Sequence, residues 1–184
     1  MSKQIGNDIR ALRKSRGMTL QALAFAVGRS VGWLSQIERG QTEPSVRDLG
    51  LIADQFGISI SFFFRSASRQ EAERGIVLRA ADRMPIGSSE SGLTEELLSP
   101  SLSGSFEMIK SVFGPKSDSG GPVEAGPRED GGVVISGRLT LTIGDLSVDL
   151  KTGDSFQFAG RSYSWSNPHD EPAAVIWVIS PPVY

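Results

Sequence analysis

Apolar positions in the first third of the chain recur at three- and four-residue intervals. Ile5, Ile9 and Leu12 form one set, Leu20, Leu23, Ala24 and Val27 a second, Leu34 and Ile37 a third, and Val46, Leu49, Ile52, Ala53 and Phe56 a fourth. Each set defines the inward stripe of an amphipathic helix. Thr19, Ser30 and Ser45 stand where N-caps belong, and Ser45 has Asp48 three residues on, a capping-box spacing. Gly17, Gly28, Gly40 and Gly57 follow the helix ends, where a left-handed residue closes the last turn. A final short helix over 59–64 completes an expected bundle of five.

From about Gly75 the period changes to two. The segments 138–143 (RLTLTI), 146–150 (LSVDL), 154–158 (DSFQF), 163–166 (YSWS) and 173–179 (AAVIWVI) are short strands set off by Gly, Asp, Asn and Pro. Earlier candidates lie at 75–79, 93–98, 105–113 and 132–135, and the Gly/Pro-rich stretch 114–132 reads as a long loop. The pattern predicts two domains, an all-α head over 1–64 and an all-β sandwich or barrel over 75–184, joined by the polar linker 65–74.

Charge sharpens this division. The net charge of -2 conceals a first part, 1–68, with nine Lys/Arg against five Asp/Glu, and a remainder with ten against sixteen. A basic head on an acidic body suits a nucleic-acid contact made by the head alone. The chain has no cysteine and one histidine, His169, so thiol chemistry is excluded and imidazole chemistry nearly so. Nothing in the sequence approaches membrane-spanning length and the first turns are charged, which predicts a cytoplasmic protein without a membrane partner.

The stretch TLQALAFAVGRSVGWLSQIERGQTEPSVRDLGLIADQFGIS resembles the helix-turn-helix of the phage-repressor-like family of bacterial regulators, with IERG and Pro44 especially typical. The likeness extends over 4–64. It implies that the third helix, starting after Ser30, enters the major groove of double-stranded DNA. With Leu34 and Ile37 turned inward, Val31, Gly32, Ser35, Gln36 and Arg39 remain free, and Trp33 is shared between packing and the duplex backbone. Gln36 can pair bidentately with adenine, Val31 can touch a thymine methyl, and Gly32 permits close approach. Gln21, Arg29 and Arg39, with the amides following Thr19 and Ser30, are candidates for phosphate contacts. One such motif makes too few contacts for selectivity, so a homodimer on a palindromic operator is expected.

The segments GGVVISGRLTLTIGD, LKTGDSFQF and SWSNPHDEPAAVIWV, followed by SPPVY, resemble the cupin, or double-stranded β-helix, family. The combination of head and cupin is similar to the putrescine-utilisation repressor group of bacterial regulators. That resemblance implies a jelly-roll barrel holding a small-molecule effector. Many cupins hold a divalent metal with histidines and a glutamate. Here Gly126 and its neighbours stand in place of the first-motif histidine and Tyr163 in place of the second, so neither a metal nor another cofactor is expected. On an alternating strand Tyr163, Trp165 and Asn167 share one face. An aromatic wall opposite Glu129 or Asp130 suits a cationic effector, an amine or polyamine.

These features predict a transcriptional regulator, a repressor controlled by an effector, and not an enzyme. Two rivals stand beside it: a metal-dependent cupin enzyme fused to a helix-turn-helix, and a DNA-binding scaffold with an inert barrel. The aromatic residues also admit a plain packing role.

Overall fold

In a computed structural model of the chain, the described residues are 2–64, 71–73, 75–86, 91–101 and 104–183. Two compact units result, the first made of Met1–Met84, Ser99–Ser105 and Pro182–Tyr184 and the second of Pro85–Leu98 and Phe106–Pro181.

Among the described residues the first unit holds four α-helices: α1 Ser2–Ser15, α2 Leu20–Ala26, α3 Val31–Glu38 and α4 Val46–Phe56. Thr19, Ser30 and Ser45 are the N-caps of the last three, each side chain accepting a backbone N–H from three residues on, and Ser45 and Asp48 complete the capping box. The predicted stripes are buried almost throughout, and Ile9, Leu12, Leu23, Leu34, Ile37 and Ile52 are fully or almost fully excluded from solvent. Val46 is an exception at 68% exposed, because it occupies the first turn of α4 on the side away from the core.

The expected fifth α-helix is not formed. Ile60–Phe64 is a 3-10 turn, closed by Phe62 N–H donating to the Ser59 carbonyl at 2.9 Å. The cause lies in the sequence, where Phe62 and Phe63 are adjacent and both buried, with rings 5.7 Å apart at 86°. Successive residues on an α-helix point about 100° apart, so one α-helical stripe does not bury both. Most of the predicted linker, 65–74, lies outside the described residues, and Glu71–Glu73 within it forms a single 3-10 turn. Residues 75–79, expected as a strand, are turn and irregular chain.

The strands of the second unit are β1 Pro85–Ile86, β2 Leu93–Leu97, β3 Glu107–Phe113, β4 Ser117–Asp118, β5 Glu129–Ser136, β6 Arg138–Ile143, β7 Leu146–Lys151, β8 Ser155–Ala159, β9 Tyr163–Asn167 and β10 Ala173–Ser180. They form a six-stranded antiparallel sheet, β1-β2-β3-β10-β5-β8, and a four-stranded one, β4-β9-β6-β7. The expected closed barrel is thus not present, since no ladder joins the two sheets among the described residues. Gly137 shows why. Between β5 and β6 its φ of +75° turns the chain sharply from one sheet to the other, and a Cβ there would lie 2.5 Å from the Pro172 carbonyl oxygen. The predicted loop 114–132 contains β4 and the first residues of β5, which the turn-rich composition conceals.

Inward residues follow the period of two. Glu107, Ile109, Ser111 and Phe113 of β3 are all buried and alternate with half-exposed neighbours. Across the sheet Glu107 pairs with Ile179, and Ile179 with Asp130. A row of the interior is therefore charged at two places.

The end of α3 offers a direct test of backbone constraint. Gly40 has φ +68°, and a Cβ there would sit 2.8 Å from the Lys3 Cα, whereas Gly17, at φ +62°, has nothing within 4 Å. Gly17→Ala should cost only the left-handed strain, about 1–2 kcal/mol. Gly40→Ala should cost clearly more, measured as the shift of the urea unfolding midpoint.

Candidate nucleic-acid interface and ligand chamber

Helix α3 has two faces. Leu34, Ile37 and Glu38 are buried, while Ser30, Val31, Gly32, Gln36 and Arg39 are exposed and Trp33 and Ser35 are half-buried. Gln21 on α2 and Arg29 in the turn between helices are exposed as well. Every predicted DNA-facing residue therefore lies at least partly in solvent around one helix-turn-helix. A Cβ on Gly32 would meet nothing within 4 Å, so packing makes no demand for glycine there.

The inner face is held by charge. Arg13 of α1 forks onto Glu38, Nε to Oε1 at 2.6 Å and Nη2 to Oε2 at 2.9 Å, and its Nη1 donates to the Met18 carbonyl at 2.8 Å. The hydrogen bonds that Arg13 donates to Glu38, outweighing burial, hold the Arg13 pKa above its ordinary value. Arg29 is similarly engaged. Its Nε and Nη2 donate to Asp48 Oδ1 at 2.8 and 2.6 Å, and its guanidinium lies 5.6 Å from the Trp33 ring centroid. Asp48 Oδ2 meanwhile accepts from the Ser45 amide and hydroxyl at 3.1 and 2.7 Å. Burial pushes the Asp48 pKa up, but the bonds from Ser45 and Arg29 prevail and hold it below the ordinary carboxylate value. Arg29 thus ties the turn to α4, a role its sequence position did not disclose.

The outer face carries two further networks. Arg39 Nη1 donates to Ser35 Oγ and its Nε to Gln41 Oε1 at 3.0 Å, while Thr42 Oγ1 donates to Gln36 Oε1 at 3.3 Å. Arg47, also missed in the sequence, is exposed in the first turn of α4.

In the second unit the predicted effector residues separate. Asp130 is fully buried, whereas its neighbour Glu129 is exposed and accepts from Gln157 Nε2, because successive strand residues face opposite ways. Tyr163 packs against Phe158 and Trp177 at 5.3 and 5.6 Å between centroids. Trp165 instead packs edge-on to Phe113 at 4.7 Å. The Asn167 amide donates to the carbonyls of Phe113, Gly114 and Glu171 at 3.1, 3.0 and 2.9 Å, and its Oδ1 accepts the His169 amide at 3.1 Å. Asn167 is spent on the turn, and Asp130 and Tyr163 alone of the five share a polar interior.

That interior includes residues the sequence did not single out. Arg128 Nε donates to both Asp130 oxygens at 3.1 and 3.0 Å. Burial lowers the Arg128 pKa, yet the bond and charge of Asp130, with Tyr163 and Glu107 behind them, leave it raised. Glu107 is fully buried, and Ser111 donates to Glu95 Oε1 at 2.8 Å. Tyr163 is pushed up to about 12, first by burial and then by the Asp130 and Glu95 carboxylates, against the opposing pull of Arg128. The Arg128 guanidinium is paired with Asp130 and feels the charge of Glu107, beside an aromatic wall of Phe156, Phe158, Tyr163 and Trp177. Gly132 makes that wall possible, because a Cβ there would lie 2.6 Å from the Phe156 ring.

The residues do not fit the metal that many cupins hold. Arg128 covers both oxygens of Asp130, the sole histidine lies in the turn after β9, and no group of three or more His, Cys, Asp or Glu among the described residues is placed to hold an ion. No helix is long and apolar enough to cross a membrane, among the described residues.

Two family models match the chain, helix-turn-helix over residues 9–63 and cupin domain over residues 112–179. The HTH-type transcriptional regulator SutR of Escherichia coli (strain K12) is 30% identical over 159 residues, covering 86% of this chain and 84% of that protein. The HTH-type transcriptional regulator PuuR of the same strain is 24% identical over 164 residues, covering 88% and 86% respectively. The crystal structure of FeII HppE covers 97% of this chain and 98% of its own at 17% identity with a TM-score of 0.51, a likeness of fold alone.

Two measurements probe these sites. Glu38→Ala strands the Arg13 guanidinium and should cost about 3–5 kcal/mol in urea unfolding, most of it recovered when Arg13→Met is added. The Tyr163 pKa is raised on folding, so the stability it contributes is fully present below its ordinary value and is lost as pH rises through about 12. Absorbance at 295 nm should therefore show a late ionisation that Tyr163→Phe removes.

Proposed function

Because the chain belongs to the HTH-type transcriptional regulators, we propose that it is a cytoplasmic repressor that reads a palindromic operator as a homodimer and senses a small organic cation in its cupin unit. Kinship with the putrescine-utilisation repressor group is part of this proposal, as is an amine or polyamine effector. The observations that carry it are an exposed, internally clamped α3 and, in the cupin unit, a buried Arg128–Asp130 ion pair beside the buried Glu107 and a cluster of aromatic rings.

On this reading Gln36 reads a base edge, Val31 meets a thymine methyl, and Gly32 lets the helix approach closely. Its side chain is missing where packing asks for none, which supports a reason outside the fold. Gln21, Ser30, Ser35 and Arg39 set the register through phosphates, and Arg29 with Trp33 supports the turn from behind. In the cupin unit an ammonium group lies against Tyr163 and Trp177 and pairs with Asp130, Glu107 or Glu95. On this reading the unit binds its ligand without turning it over, a view supported by the lack of a metal-holding cluster among the described residues and by the engagement of Asp130 with Arg128.

Gln36→Ala should lower discrimination at one base position by about 1–3 kcal/mol while sparing binding to random DNA. Arg39→Ala should weaken all sequences alike and reduce the salt slope by about one. Equal losses from both variants on cognate and random duplexes would refute the assignment. Native mass spectrometry of the untagged protein should give a dimer, and added diamines should appear as adducts that Asp130→Asn weakens. One stoichiometric transition metal per chain would overturn the sensor in favour of an enzyme.

A further inference from the structure

Helix α3 ends by folding the chain back over its own last turn. Gly40 N–H donates to the Ile37 carbonyl at 2.8 Å and Gln41 N–H to the Gln36 carbonyl at 2.9 Å, the paired bonds that follow a left-handed glycine. Residues 41 and 42 are thereby brought alongside residues 35 to 39. Thr42 Oγ1 donates to Gln36 Oε1 at 3.3 Å, and Gln41 Oε1 accepts from Arg39 Nε at 3.0 Å. All four side chains are exposed, so these bonds fill no core and satisfy no buried group.

We infer that Thr42 is a positioning residue that sets the base preference of Gln36 by fixing which end of its carboxamide faces outward. The inference rests on the reading of Gln36 as a base-contacting residue. A free glutamine side chain presents its amide in either of two orientations related by a flip. With the Thr42 hydroxyl donating to Oε1, as the geometry has it, one of them is held. It leaves a lone pair of Oε1 and both hydrogens of Nε2 available, the set that adenine N6 and N7 require. Gln41 acts on Arg39 in the same sense, holding a cation along the helix and limiting its reach to one stretch of backbone.

The test is a base-resolved binding profile of the full-length protein, starting from sites selected out of a random duplex library. Thr42→Val, which keeps shape and removes the donor, should reduce discrimination at the position read by Gln36 by about 2- to 10-fold. Its thermal melt, random-DNA affinity and salt slope should match the parent, and Thr42→Ser should restore the profile. A Thr42→Val profile like the parent's, in a protein whose Gln36→Ala variant has lost its preference, overturns the inference alone. A uniform loss on all sequences overturns it too, by making Thr42 a phosphate contact. If Gln36→Ala leaves the profile unchanged, the reading of Gln36 falls and the inference with it.

Discussion

The close approach of α1 to α3 is the constraint on which the reading surface depends. Helix α3 is eight residues long, too short to be stable by itself in water. Its geometry is imposed from outside at three places. A Cβ on Gly6 would run into the Ile37 carbonyl oxygen, Arg13 forks onto Glu38, and Gly40 passes over the Lys3 backbone. Two of the three contacts require the absence of a side chain and the third requires a planar, bidentate cation, so a lysine at 13 would not reproduce it. With the inner face fixed in this way, the outer face is free to vary in sequence without altering where it points.

The second unit solves a different problem, since part of its interior is charged. A sandwich selected only for stability gains more from apolar residues than from an ion pair at such a place, because the desolvation of two charges consumes most of their attraction. Around Leu139, Leu141 and Val175 the interior is indeed apolar. Around Asp130, Glu107 and Ser111 it is not, and there Gly132 gives up its side chain so that Phe156 can pack edge-on to Trp177. Both features occur in one place, where the effector site is proposed.

Much of this was legible in the sequence where local chemistry decides the outcome. The caps at Thr19, Ser30 and Ser45 and the glycines after each helix act within one turn, so they predict helix ends well. The 3-10 turn at Ile60–Phe64 was not, because burial of two adjacent phenylalanines overrode the helical pattern. Closure of the sheets was not legible either, since a corner such as Gly137 reads as any other turn until its neighbours in space are known. The period of two told that Glu129 and Asp130 face opposite ways, but not which of them faces inward. Glu107 escaped notice for a related reason: a charge on a strand normally marks the wet face, and only the register of Glu107 and Asp130 with Ile179 shows otherwise. The same limit applies to Arg29, whose partner Asp48 is nineteen residues away.

The buried Arg128–Asp130 ion pair also bears on how the proposed effector could act. A ligand changes another equilibrium only by preferring one conformation to its alternative. An ammonium group that approached Asp130 would find both carboxylate oxygens already taken by Arg128 at 3.0 and 3.1 Å. It would have to share the carboxylate or displace the guanidinium, which stands immediately before β5 and is linked by charge to Tyr163 and Glu107. A neutral ligand filling the same space exerts no such demand. For the proposed cationic effector, charge would therefore matter twice, once for affinity and once because competition for Asp130 would couple binding to a movement of Arg128.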